Sequence, residues 1–187
     1  MEIKLFTPLT YEKIKDLKAG DSILLSGTIY SARDAAHKRL IELLEAGKEL
    51  PIDVKDAAIY YVGPTPAKEG QVIGSAGPTT SYRMDDYSPQ LLDLGLKAMI
   101  GKGARSEAVI NSIIKNKAVY LGAIGGAAAL ISKCIVASEI IAYEDLGAEA
   151  IRKIEVKDMP LTVIIDSKGT NLYKVGQEEY LRTIGNW

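Results

Sequence analysis

The sequence predicts an α/β fold, because short apolar strands alternate with helical segments along most of the chain. Residues 23–30 (ILLSGTIY) and 57–62 (AAIYYV) are rich in β-branched and aromatic residues, which favour strands. Between them, apolar residues recur at helical spacing over residues 36–44, and Gly47 is placed to end that helix. Several predicted strands run directly into glycine-rich turns, and ligands of open α/β sheets usually bind at such ends.

The other elements follow from the same signals. Ser31 begins an S-x-x-D pattern, which predicts that it caps the first helix. Ser88 and Pro89 are typical of the start of a short helix to residue 94. A further helix is predicted over residues 105–115. Further strands are predicted over residues 71–76, 97–100, 118–121, 135–143, 161–165 and 171–175.

Length and charge favour one soluble domain. The 187 residues are enough to bury a sizeable core and few enough for a single domain, which we assign to residues 1–187. Lys and Arg total 23 against 24 Asp and Glu, a net charge of -1, which argues against nucleic-acid and anionic-membrane binding. No apolar run reaches about 18 residues, and the N-terminus lacks an apolar signal segment. We therefore expect a cytoplasmic protein with no membrane segment.

Scarce residues restrict the chemistry further. The chain has one cysteine, Cys134, and one histidine, His37. These two residues cannot form an internal disulfide, a Cys/His zinc site or the ligand set of an iron–sulfur cluster. Any catalyst that depends on histidine would have to use His37. Cys134 has apolar neighbours, which predicts an inert, buried thiol.

Three segments place a cationic side chain after a strand and a turn of small residues. In the first, Arg33 and His37 lie four residues apart at a predicted helix start, whose free N–H groups favour an anion. In the second, SAGPTTS at residues 75–81 offers hydroxyl donors, and Arg83 follows with a guanidinium suited to a carboxylate. In the third, Lys102 stands between two glycines.

Each pattern also has a structural interpretation. Arg33 could pair with a surface acid, and the hydroxyls of residues 79–81 could bond their own turn. The glycines around Lys102 lack the P-loop spacing, and residues 122–126 lack the G-x-G-x-x-G pattern, so nucleotide binding is weakly supported. The residues alone predict a site for a small polyanion, with a carboxylate favoured, and do not establish a reaction.

The same segments resemble the β subunit of two-subunit class I fumarate hydratases and the related L(+)-tartrate dehydratases. In single-chain members this module forms the C-terminal domain. The resemblance extends in one order over nearly the whole chain and implies a swivelling β/β/α domain of the iron–sulfur hydro-lyase type. Its motifs are residues 26–30, 32–39, 63–65, 75–81, 83–85, 101–103, 125–128 and 144–150.

The resemblance also implies how the chemistry is divided between two chains. The family's four-iron four-sulfur cluster is held by three cysteines of a partner α subunit, so this chain would bind no metal and would act only in a hetero-oligomer. The unligated iron of that cluster would act as a Lewis acid on the hydroxyl of a small dicarboxylate substrate. The single Cys134 agrees with this division.

Roles for individual residues follow from the matched motifs. Arg33, Arg83 and Lys102 resemble the family's carboxylate-binding cations. Thr79 resembles the residue proposed for proton transfer at carbon, and His37 is a second candidate for acid/base chemistry or for support of the site. At residue 82, where many relatives have a small residue, this chain has a tyrosine, which could reshape the pocket.

Fumarate hydratase is the function that we expect, with reversible addition of water to fumarate to give L-malate. Two alternatives stay open. One is the β subunit of an L(+)-tartrate dehydratase, because the two substrates differ by one hydroxyl. The other is a non-catalytic dicarboxylate-binding module that keeps the same fold.

Overall fold

The computed structural model describes residues 2–123 and 128–184, which form a seven-stranded sheet flanked by helices. The strands are β1 (Ile3–Phe6), β2 (Ser22–Ser31), β3 (Ala58–Tyr60), β4 (Ala98–Gly101), β5 (Val119–Gly122), β6 (Ile135–Ala142) and β7 (Ile151–Ile165). The helices are α1 (Tyr11–Ile14), α2 (Asp34–Glu45), α3 (Ser88–Asp93), α4 (Glu107–Asn116), α5 (Ala128–Lys133) and α6 (Leu172–Ile184). Two 3-10 helices span Ser81–Met84 and Glu144–Glu149. Within these described ranges, no helix has the length and apolar character needed to cross a membrane.

The sheet combines a parallel and an antiparallel part. Strands β1 to β5 run parallel to one another, whereas β7 is antiparallel to each of its neighbours, β2, β5 and β6. Residues 152–156 of β7 pair with β6 as well as with β2, so these two neighbours lie on opposite edges of β7. The pairings from β2 through β3, β4, β5 and β7 return to β2, and the sheet therefore closes on itself.

The alternation of side chains along the strands produces two apolar cores. One contains Ala58 and Tyr60 of β3, together with buried residues of β2, β5 and β7. The other contains Ile59 and Tyr61 with the apolar faces of α2, α3 and α4. Successive strand residues point to opposite faces, so the closed sheet has a filled interior and an outer face covered by helices. This confirms the predicted α/β class.

Four local predictions were wrong, and β7 begins ten residues before its predicted start at residue 161. Residues 71–76 form no strand, and the predicted strand over residues 171–175 is the start of α6, where Asn171 Oδ1 accepts a hydrogen bond from the Tyr173 N–H at 3.0 Å. Ser31 ends β2 instead of capping α2, and its Oγ accepts from the Arg152 N–H at 3.1 Å. The fourth helix begins at Glu107 after Ser106, so Arg105 precedes it.

Candidate active site

Four of the predicted site residues lie where β2, β3 and β4 end. Arg33 is the N-cap residue of α2, two residues after β2. Lys102 directly follows β4, and Arg83 lies in the 3-10 helix Ser81–Met84. Thr79 belongs to the loop that leads into that helix. The ends of three neighbouring parallel strands thus bring together segments that are far apart in the sequence.

Thr79 and Lys102 are brought together by backbone pairing. The Thr79 N–H donates to the carbonyl oxygen of Tyr61 at 2.6 Å, beside the end of β3. Thr80 forms a bridge with Lys102, and the Ser81 N–H donates to the Lys102 carbonyl at 2.9 Å. The loop therefore extends the parallel sheet past β3 and β4. It leaves Thr79 half-buried and the Lys102 side chain exposed.

Gly101 permits this close approach. A Cβ atom at residue 101 would overlap Ser81 Oγ and would lie 3.0 Å from the ring of Tyr61. Ser81 Oγ lies 2.9 Å from the Tyr120 hydroxyl, which in turn donates to the Gly103 carbonyl at 2.9 Å. Burial raises the pKa of Tyr120, which keeps its hydroxyl protonated and able to donate. A glycine at the last position of β4 is thus required for the loop to pack against the strand.

Arg33 and Arg83 are connected by acidic side chains. Arg83 Nη2 donates to Asp34 Oδ2 at 2.8 Å, and the other carboxylate oxygen of Asp34 lies 4.0 Å from Arg33 Nε. Arg33 Nη2 lies 3.2 Å from Glu149 Oε1. The guanidinium of Arg33 also packs over Gly63, where a Cβ atom would lie 2.6 Å from Arg33 Nη1. Glu149 was not among the predicted site residues, because nothing in the spacing of residues 144–149 links them with Arg33.

The charges of this cluster leave room for an anion. Arg33 and Arg83 carry two positive charges against the two carboxylates of Asp34 and Glu149, and the exposed Lys102 after β4 adds a third positive charge. Within the described part of the chain, the buried atoms Arg33 Nε and Asp34 Oδ1 have no hydrogen-bond partner. A guanidinium has five N–H donors, so an ion pair on one side leaves others for a carboxylate.

His37 lies apart from the cations, on the buried face of α2. Its Nδ1 donates to the Arg33 carbonyl at 2.8 Å, and the same carbonyl accepts the His37 backbone N–H at 2.8 Å. The ring meets Tyr61 edge to face, with centroids 5.3 Å apart. Burial lowers the pKa of His37 from 6.5 to about 4, so the ring is neutral near pH 7. The geometry connects His37 with the backbone of Arg33.

The residues of this chain do not fit an iron–sulfur cluster. Among the described residues, no three or more His, Cys, Asp or Glu side chains are grouped as metal ligands. The one cysteine, Cys134, is part-buried, and burial raises the pKa of its thiol. A cluster requires several thiolates, and one thiol cannot provide them.

Fold and site together define a class: an α/β domain that presents cations and a hydroxyl where parallel strands end. A family model described as "Fumarase C-terminus" matches residues 1–176, and the chain belongs to this family. Of the motifs that carry the resemblance, residues 125–127 lie outside the described residues.

Relatives of two kinds are similar to this chain. "Fumarate hydratase class I, anaerobic" of Escherichia coli K12 is 46% identical over 152 residues, which is 80% of this chain and 28% of that protein. "Fumarate hydratase 2" of Leishmania major is 39% identical over 168 residues, 87% of this chain and 29% of that protein. The "Putative L(+)-tartrate dehydratase subunit beta" of Methanocaldococcus jannaschii is 37% identical over 175 residues and 90% of each chain. The chain thus spans under a third of the two hydratases and nearly all of the third relative.

Proposed function

We propose that this chain is the β subunit of a two-subunit hydro-lyase, a fumarate hydratase that interconverts fumarate and L-malate. The observation that carries the proposal is the convergence of Arg33, Arg83, Lys102 and Thr79 at the ends of β2, β3 and β4. Relatives named fumarate hydratase support the choice of reaction. In this proposal residues 1–187 form one cytoplasmic domain of the swivelling β/β/α type. Its parallel strands, its antiparallel β2–β7–β6 part and its helical layer are the support for that type.

The three cations bind the two carboxylates of the substrate. Asp34 holds the Arg83 guanidinium through Nη2 and leaves its other N–H donors for a ligand, whereas Arg33 contacts both Asp34 and Glu149. The exposed ammonium of Lys102 provides a further charge. Two carboxylates bring two negative charges, whereas the cluster has a balance of one positive charge. We propose that a partner chain contributes a further cation or hydrogen-bond donors.

Thr79 is proposed to move the proton at carbon. When malate loses water, a proton leaves the carbon next to the one that bears the hydroxyl, and the hydroxyl departs with a second proton as water. A threonine hydroxyl is a weak base, so the nearby cations must stabilise the negative charge that develops. The backbone pairing beside Lys102 supports this placement of Thr79.

His37 is proposed to position Arg33, because its buried ring donates to the Arg33 carbonyl and does not lie among the cations. In its neutral Nδ1–H tautomer the ring donates a hydrogen bond to the Arg33 carbonyl, and this bond fixes the backbone that carries the Arg33 side chain. In this role His37 exchanges no proton with the substrate.

We place the four-iron four-sulfur cluster in a partner α subunit. The support is chemical: this chain has one cysteine, and its described residues form no metal-ligand group. The "subunit beta" in the name of the tartrate dehydratase relative also supports a hetero-oligomer. All steps assigned here to this chain are binding, orientation and proton transfer.

A second candidate is the β subunit of an L(+)-tartrate dehydratase. The relative from Methanocaldococcus jannaschii favours it, because that protein matches this chain over 90% of both lengths. Tartrate carries one hydroxyl more than malate.

The test is anaerobic reconstitution. We expect the purified chain alone to be iron-free and inactive, and the chain mixed with a cluster-loaded α subunit to turn over fumarate and malate. Faster turnover of tartrate by the pair would favour the second candidate. Hydration by this chain without iron, or a loaded pair that binds dicarboxylates and turns over none, would overturn the proposal.

A further inference from the structure

The two loops that carry Arg83 and Lys102 are joined beneath the surface by a buried ion pair. Asp85 follows the 3-10 helix Ser81–Met84 directly, and Arg105 comes three residues after Lys102. Arg105 Nε lies 2.7 Å from Asp85 Oδ1, and the Arg105 side chain is fully buried. The second oxygen of Asp85 accepts the Ser106 N–H at 2.6 Å. The Asp85 carboxylate therefore bonds both the side chain and the backbone of the neighbouring loop.

Arg105 also contacts the strands beneath the Thr79 loop. Its guanidinium carbon lies 5.4 Å from the ring centroid of Tyr61 and 5.1 Å from that of Tyr120. The Tyr61 carbonyl accepts the Thr79 N–H, and the Tyr120 hydroxyl bonds Ser81 Oγ and the Gly103 carbonyl. A single side chain thus lies under the Thr79 loop and the segments that bear Arg83 and Lys102.

The planar guanidinium is needed for this set of contacts. Arg105 Nη2 donates to Ser88 Oγ at 2.7 Å while Nε bonds Asp85, and the ring faces of two tyrosines lie alongside. A lysine ammonium would keep the charge, but it cannot provide two donors in a fixed plane or stack on the rings. The desolvation of a buried pair is costly, so such a pair is weak evidence for stability.

We propose that Arg105 is a positioning residue that sets the distance and orientation of Arg83 relative to Lys102. This inference rests on the proposed function, because Arg83 and Lys102 are there the carboxylate-binding cations. Arg105 does not touch the substrate. It acts through Asp85 on the segment that bears Arg83, and through the backbone on the segment that bears Lys102.

The first measurement is amide hydrogen exchange in the full chain, with and without Arg105→Lys. We expect the Ser81 and Ser106 amides to exchange at least 10-fold faster in the variant. The amides in the β2–β7 pairing should exchange at the wild-type rate. Unchanged exchange at Ser81 and Ser106 would overturn the inference, whether or not the protein proves to be a hydratase.

The second measurement is a double-mutant cycle in the reconstituted pair, with Arg105→Lys and Lys102→Ala alone and combined. We expect Arg105→Lys to raise KM for fumarate at least 10-fold in the wild-type background and less than 3-fold in the Lys102→Ala background. If Arg105 has only a structural role, the effects of Arg105→Lys and Lys102→Ala on KM should multiply, and that result would overturn the positioning role. A wild-type pair without turnover would instead overturn the proposed function.

Two further variants keep the test decisive. Ser88→Ala removes one acceptor of Arg105 and leaves the ion pair in place, so it replaces Arg105→Lys if that variant does not fold. Met159→Ala in β7 opens a cavity in the other core and serves as a control for lost stability. We expect Met159→Ala to lower the resistance to urea and to leave KM unchanged; an equal rise in KM would contradict the positioning role.

Discussion

Arg83 Nη2 donates a 2.8 Å hydrogen bond to Asp34, although 49 residues separate the two in the sequence. Through it, the helix that begins after β2 and the loop that follows β3 share one charge network. In the proposed enzyme this contact orients the Arg83 guanidinium before the substrate arrives. Pre-orientation of a binding group reduces the entropy that is lost when the ligand binds.

Removal of the Arg83 guanidinium should weaken dicarboxylate binding. A hydrogen bond to a charged group contributes about 1.5–3 kcal/mol, so we expect Arg83→Ala to raise KM about 10- to 100-fold. Steady-state kinetics of the reconstituted pair measures the effect. Lys115→Ala, which removes an exposed ion pair with Asp93, is the control and should leave KM unchanged. An unchanged KM for Arg83→Ala would contradict the assigned role.

Removal of the Thr79 hydroxyl should affect the chemical step more than binding. We expect Thr79→Ala to lower kcat at least about 100-fold and to change KM less than about 3-fold, because positioned proton transfer contributes about 100- to 10,000-fold. Thr79→Ser keeps a hydroxyl and should recover part of kcat. The adjacent Thr80→Ala is the control, with kcat near the wild-type value. A Thr79→Ala pair with normal kcat would favour the non-catalytic binding module.

The buried His37 should make the protein less stable in acid. Its folded pKa of about 4 lies below the unfolded value of 6.5, so the unfolded chain binds the proton more tightly. The contribution of His37 to the free energy of unfolding is fully present above about pH 6.5 and is lost as the pH falls towards 4. We expect a loss of about 2 kcal/mol between about pH 7.5 and pH 5.

Urea unfolding at the two pH values, with His37→Asn as the comparison, isolates this effect. Asparagine retains a donor for the Arg33 carbonyl and does not titrate, and His37 is the only histidine in the chain. The wild-type protein should therefore lose about 2 kcal/mol more than the variant on acidification. Equal losses would show that the ring titrates alike in the folded and unfolded states.

The close contact at Gly101 should not tolerate a methyl group. Gly101→Ala would place Cβ against Ser81 Oγ, so we expect it to cost about 1–3 kcal/mol of unfolding free energy and to displace the Thr79 loop. Gly176→Ala is the matched control, since a Cβ at residue 176 in α6 would meet nothing within 4 Å beyond the backbone of its own helix and its chain neighbours. Alanine there should stabilise the helix by about 0.5–1 kcal/mol. Thermal and urea unfolding compare the two variants.

Strand and helix patterns predicted the class of fold, and local chemistry explains most of the errors. The apolar run that starts at Leu172 is too short for its spacing to distinguish a strand from a helical turn. Asn171 favours the helix, because its side-chain oxygen accepts a hydrogen bond from the Tyr173 N–H at the start of α6. β7 was predicted only from residue 161, because Asp158 and Pro160 are typical of a loop. Both residues lie inside the strand, and Asp158 has a positive φ of 49°.

The sequence predicts the separate segments that form the site, but not how those segments are arranged in space. Arg33 and Lys102 each follow a strand, and this pattern is visible in the sequence, whereas the strand predicted before Arg83 at residues 71–76 does not form. The acids that pair with them depend on tertiary packing, as with Glu149, which reaches Arg33 from a segment 116 residues away. Arg105 was assigned to a helix as an ordinary residue, because a buried guanidinium between two tyrosine rings has no short-range signature.

Closure of the sheet has a consequence for how the chain folds. β2 pairs with β7 from Ser22 with Thr162 to Ser31 with Arg152, so these contacts join residues more than a hundred positions apart. Contacts of such long sequence separation slow folding, because the intervening chain must lose its freedom first. During synthesis β2 stays without this partner until β7 has left the ribosome. A nascent chain truncated before residue 151 would therefore leave one edge of β2 open to pairing with other chains.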